Sequence, residues 1–154
     1  MPEVMVVIGG YVDILAPLLT LTIAAAALLF AREQLNASRA QQREATAYSI
    51  YSDQLKLDLQ FPEFSAPDLE EIKRAGRLNQ YDDYVSHLLF ACENILNITK
   101  DEAWRWAVKN YLAEHVSYVK AYYMSADAPY FKEFQTGYSK ELIALLKEVL
   151  TKAD

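Results

Sequence analysis

ILAPLLTLTIAAAALLFAREQ, Ile14 to Gln34, contains eighteen uncharged residues followed at once by Arg32, Glu33 and Gln34. As a helix rising about 1.5 Å per residue, such a run covers about 27 Å, close to the hydrocarbon thickness of a bilayer. Val4 to Val12 prolongs the apolar character, and Asp13 interrupts it. Two other readings compete. A core helix must be greasy on all sides and be wrapped by a domain drawn from the 123 residues that follow. A cleaved export signal opens on Lys or Arg, whereas the first base here is Arg32, and Ala27-Leu28-Leu29-Phe30-Ala31 offers no convincing small-x-small cleavage site. The stretch predicts a transmembrane helix over 14–31.

The flanks orient it. Glu3 and Asp13 precede the run without any base, while Arg32, Arg39 and Arg43 follow closely. The positive-inside rule then predicts a short extracytoplasmic N-terminus over 1–13 and a cytoplasmic domain beyond the span, in the inner (plasma) membrane of a bacterium. The sequons Asn36-Ala37-Ser38 and Asn97-Ile98-Thr99 would then stay unmodified. Within the span, Thr20, Ala24, Ala27 and Ala31 recur at steps of four, three and four, a narrow small-residue face on which another helix can approach closely. Asp13 is expected at the outer interface beside Tyr11. Deeper in lipid it would mark a proton path or a partner's cation.

Beyond residue 31 the chain carries 15 bases against 19 acids, a net charge of −4. An acidic domain without a basic stripe argues against nucleic acid as a partner. A single cysteine, Cys92, forms no internal disulfide and fits a reducing compartment.

Residues 18–61 contain neither proline nor glycine, so the span is expected to continue as a helix. Its first part, 32–46, is polar nearly all round and reads as a juxtamembrane stalk. From Ala47 an apolar face begins, with Ile50, Tyr51, Leu57 and Phe61, which should dock on a helical bundle over 47–154. Pro62 ends the helix. Ser65 with Asp68 reads as the next N-cap, and Gly76 as the stop of that short helix. A helix follows over about 80–98, then one opened by Thr99-Lys100-Asp101-Glu102 and running through Trp104, Val108, Tyr111, His115, Tyr118 and Tyr122. Residues 125–137, with Pro129, read as a loop with at most one helical turn, and 139–152 as a last helix. No alternating run predicts a strand, so the fold class is all-α.

The junction Phe30-Ala31-Arg32-Glu33-Gln34-Leu35, followed by Tyr48, Tyr51 and the turn Phe61-Pro62-Glu63-Phe64, resembles a broad group of uncharacterised bacterial membrane proteins. The resemblance covers about residues 14 to 64. It implies one N-terminal span, a juxtamembrane helix and a small helical cytoplasmic domain, and no catalytic residues.

For chemistry, the best set is His87, Cys92 and Glu93 on one helix with Glu114 and His115 on the next. A metal ion would want about four such ligands near tetrahedral positions. The spacing opposes it, since His87 and Cys92 stand roughly 140° apart around a helix, and no Glu-x-x-His or His-Glu-x-x-His motif occurs. No glycine-rich phosphate loop occurs either. Tyr111, Tyr118 and Tyr122, at steps of seven and four, share a face that is either a core boundary or a partner-binding patch. The expectation is a non-enzymatic single-pass membrane protein with no cofactor. Its domain would bind a protein partner or dock as an accessory subunit on a membrane complex, and a homo-oligomer is compatible. The alternatives are a tethered enzyme or metal-binding protein using His87, Cys92, Glu93 and His115, and a membrane signalling module sensing through Asp13 and the span.

Overall fold

The computed structural model describes residues 2–153, and their side chains over 17–151. The expectation for Asp13 lies outside the described side chains. The chain is all-helical, with no strand among the described residues. It divides into two compact units, Met1–Gln42 and Arg43–Asp154.

Helix α1 runs Pro2–Gln60. It is long and apolar enough to cross a membrane, and among the described residues none of its apolar stretch is buried within the chain. Every described residue from Pro17 to Thr46 is exposed, Arg32, Arg39 and Arg43 among them, and Ala47 is the first buried residue.

In the second unit, Ile50, Tyr51, Leu57 and Phe61 of α1 pack against the core. α2 (Pro62–Ser65) and α3 (Leu69–Arg74) follow, then α4 (Leu78–Ile98), α5 (Glu102–Ala113) and α6 (Val116–Val119). A π-helical turn, Lys120–Met124, extends α6, and α7 (Phe131–Gly137) and α8 (Lys140–Ala153) complete the unit. α4 packs on α5 and α8, and α5 also packs on α8. Between them lie Leu88, Leu89 and Leu96 of α4, Leu112 of α5, and Leu142, Leu145 and Leu146 of α8, all buried. Each contributes about 2 kcal/mol of apolar burial.

Several local expectations need correction. Ser65 does not cap α3; its hydroxyl donates back to the Pro62 carbonyl at 2.9 Å. Asp68 is the cap, accepting from the Glu70 and Glu71 N–H groups at 3.0 and 3.1 Å, because Pro62 starts its own helical turn and shifts the next start by three residues. At α5 the cap is Asp101, which accepts from Ala103 N–H at 2.7 Å, rather than Thr99. Thr99 instead accepts from Asp101 N–H at 3.2 Å and shapes the turn before it.

The single helix expected through Trp104 to Tyr122 breaks at Glu114-His115, where His115 N–H bonds the Leu112 carbonyl in a tighter turn. No glycine or proline marks this break. Residues 131–137 form a helix within the stretch read as a loop, held by Phe134, which is buried. Gly76 does stop α3, at φ +68°, the left-handed conformation glycine adopts without strain.

Candidate functional site

His87, Cys92, Glu93 and His115 each have a separate task, and the structure does not gather them. His115 sits at the α5 break, buried, with Nδ1 2.9 Å from the Tyr81 hydroxyl. Burial lowers its pKa to about 4, so the ring is neutral at physiological pH. Cys92 is buried, and desolvation pushes its thiol up to about 12, which removes the thiolate a nucleophile needs. Glu93 accepts from the Ser139 N–H at 3.1 Å and hydroxyl at 2.8 Å, and from Asn97 at 3.0 Å. Ser139 Oγ in turn accepts from Leu142 N–H at 3.2 Å, so Glu93 anchors the start of α8. Among the described residues, no group of three or more His, Cys, Asp and Glu side chains is arranged to hold a metal ion.

His87 belongs to a polar chain between α1 and α4. Its Nδ1 lies 3.0 Å from Gln54 Oε1, which can only accept, so Nδ1 carries the proton in that bond. Gln54, itself buried, donates to Asp58 at 3.4 Å, and the Tyr84 hydroxyl donates to the same Asp58 oxygen at 2.6 Å. Burial and then the Asp58 bond raise the Tyr84 pKa. Beside this chain opens a cleft of about 360 Å³ lined by Leu57, Phe61, Phe64, Tyr84 and His87, with Gln80 and Asp83.

A second network, absent from the sequence reading, converges on Asp82. One of its oxygens accepts from the Tyr118 and Tyr123 hydroxyls, each at 3.0 Å, and the other from Tyr130 at 2.7 Å. Tyr123 and Ser86 hydroxyls are 2.9 Å apart. In an α-helix, residues five apart stand about 140° apart. The π turn, closed by Ser125 N–H on the Lys120 carbonyl at 3.0 Å, follows directly after α6, and Tyr118 and Tyr123 reach one oxygen from either side of its start. Burial first, and then Asp82, raises the Tyr118 pKa.

These bonds change the reading of the tyrosine stripe. Tyr118 is buried in the core with its hydroxyl on Asp82, and Tyr111 and Tyr122 are half-buried. The Tyr111 hydroxyl is enclosed without a hydrogen-bond partner. The exposed large apolar side chains among the described residues of the second unit are instead Tyr48, Leu55, Leu59, Phe90, Trp106 and Tyr130. In the first unit, the face of Thr20, Ala24, Ala27 and Ala31 is exposed throughout.

Chemically, His87, Gln54, Asp58 and Tyr84, like Asp82 and its tyrosines, hydrogen-bond one another inside the chain, and the buried thiol and imidazole are held neutral. The fold defines an all-helical protein with one long apolar helix near its N-terminus. No protein-family model matches the chain, and neither a curated relative nor a solved structure is detectably similar to it.

Proposed function

We propose that this is a non-enzymatic single-pass protein of a bacterial inner membrane. Residues 14–31 span the bilayer, and the helical domain lies in the cytoplasm, where it binds a protein partner or docks as an accessory subunit on a larger membrane complex. The observation that carries the reading is the apolar stretch of α1, whose described residues are all left unburied by the chain. Each large aliphatic side chain left in water forgoes about 1.5–3 kcal/mol, and a bilayer removes that cost for the whole stretch at once. Arg32, Arg39 and Arg43 on the C-terminal side support the orientation.

The binding role is supported by the second unit. Asp82, Gln54, Asp58 and Glu93 are held in internal hydrogen-bond networks, whereas Trp106 is 68% exposed and Phe90 62%. Exposed tryptophan is the residue type most enriched at energetic centres of protein interfaces.

Alkaline carbonate extraction of membranes holding the full chain, followed by native electrophoresis in a mild detergent, tests both parts. The expected result is retention in the membrane pellet and migration above the mass of the chain in its detergent micelle. Release into the supernatant would overturn the membrane assignment. A homogeneous 17.6 kDa monomer, by light scattering corrected for detergent, would overturn the assignment to a complex.

A further inference from the structure

Phe64, buried in the turn after α1, borders two depressions of the second unit, and they differ in one respect. In the first, of about 450 Å³, Arg77 lies over the Phe64 ring with its guanidinium carbon 4.7 Å from the ring centroid. The same guanidinium donates to the Glu63 carboxylate, and Arg77 Nε donates to Gln80 Oε1 at 2.8 Å. An aromatic ring and a carboxylate hold a cation there, and the chain supplies that cation itself.

The second depression is the cleft of about 360 Å³ beside the polar chain of α1 and α4. Its volume falls within the range of small-molecule sites. Leu57, Phe61, Phe64 and Tyr84 make its apolar lining. The Phe61 and Phe64 rings stack with centroids 5.6 Å apart, and Phe64 and Tyr84 lie 5.7 Å apart. The Tyr84 hydroxyl is committed to Asp58. The polar lining comes from α4, where Asp83 and His87 are exposed and stand one helical turn apart on the same side. His87 gives its Nδ1 proton to Gln54, so in the neutral ring Nε2 is the acceptor. The lining therefore combines a carboxylate and an accepting imidazole nitrogen with three aromatic rings. No Lys or Arg lines this cleft among the described residues, and none of their ion pairs uses Asp83.

We propose that here a ligand supplies the cation: the cleft binds a small organic amine in its protonated form, the ammonium on Asp83 and His87 and the apolar body against Leu57, Phe61 and Phe64. Two acceptors call for N–H donors, which selects a primary or secondary amine over a quaternary one. An anion of the same shape would meet Asp83 and find no base in the lining. A neutral analogue would leave the carboxylate without a counter-charge. Because every residue involved lies in Arg43–Asp154, the inference is independent of the membrane reading.

Isothermal titration of the full chain in phosphatidylcholine nanodiscs, with the heat of empty discs subtracted, tests this. The probes are phenethylamine, its neutral analogue phenethyl alcohol and the anion phenylacetate. Phenethylamine should bind saturably and about ten times more tightly than the alcohol, the worth of one charge-assisted contact. Asp83→Asn should remove that advantage and leave the alcohol unchanged, while Asp127→Asn, an exposed acid away from the cleft, should change neither. Gln80→Trp places a bulky ring on the cleft lining from an exposed position and should abolish binding with the helical circular dichroism retained.

No saturable heat from phenethylamine would overturn the proposal. Equal affinities for amine and alcohol, tighter binding of phenylacetate, or an amine affinity indifferent to Asp83→Asn would do the same. Amine binding that survives Gln80→Trp in a folded chain would place it elsewhere and overturn the assignment to this cleft.

Discussion

At the scale of single residues, His115 and Asp82 hold the most consequence for stability. His115 titrates near pH 6.5 when unfolded and is lowered to about 4 by burial in the fold. The unfolded chain therefore binds the extra proton first. Stability is full above about pH 6.5, falls as pH drops through that value, and has lost its whole contribution below about 4, on the order of 3 kcal/mol. Denaturant unfolding at stepped pH in detergent should show this acid limb, and His115→Gln should flatten it while lowering stability at pH 8. Asp82 serves three phenols. Asp82→Ala should cost about 2–3 kcal/mol, one lost charge-assisted bond for each of the buried Tyr118 and Tyr123. Tyr130→Phe should cost about 1 kcal/mol or less, because that hydroxyl can turn to water. Comparable losses from the two variants would show that the cluster does not lock the π turn.

At the scale of elements, Gly76 offers a clean measurement. A Cβ built there meets nothing within 4 Å, so only its φ of +68° opposes a side chain. Gly76→Ala should therefore destabilise by about 1–2 kcal/mol, all of it backbone strain, and Gly76→Asn by less, since asparagine tolerates the left-handed region. Helix existence and most ends were legible in the sequence: Pro62, Gly76 and the 80–98 periodicity act through local backbone chemistry. The break at Glu114-His115 and the π turn were not. They follow from tertiary demands, namely the seat of His115 against Tyr81 and the pull of Asp82 on Tyr118 and Tyr123, which no propensity encodes. Of the two readings of the Tyr111, Tyr118 and Tyr122 stripe, the burial matches a core boundary: Tyr118 is buried and stacks on Tyr122 at 4.3 Å, and Tyr111 and Tyr122 are half-buried. Asp82 itself gave no signal beyond the abundance of tyrosines.

At the scale of the whole molecule, one property of α1 organises the account: an apolar stretch whose described residues nothing in the chain buries. It was legible as composition, because a membrane selects on a simple uncharged run. The cytoplasmic placement of the domain is the central claim, and one labelling experiment reaches it most directly. Ala126→Cys puts an exposed thiol in the second unit, while Cys92 stays buried. In intact bacterial spheroplasts a membrane-impermeant maleimide should leave Ala126→Cys unlabelled, and permeabilisation should make it react fully. Full labelling before permeabilisation would put the domain outside and contradict the account.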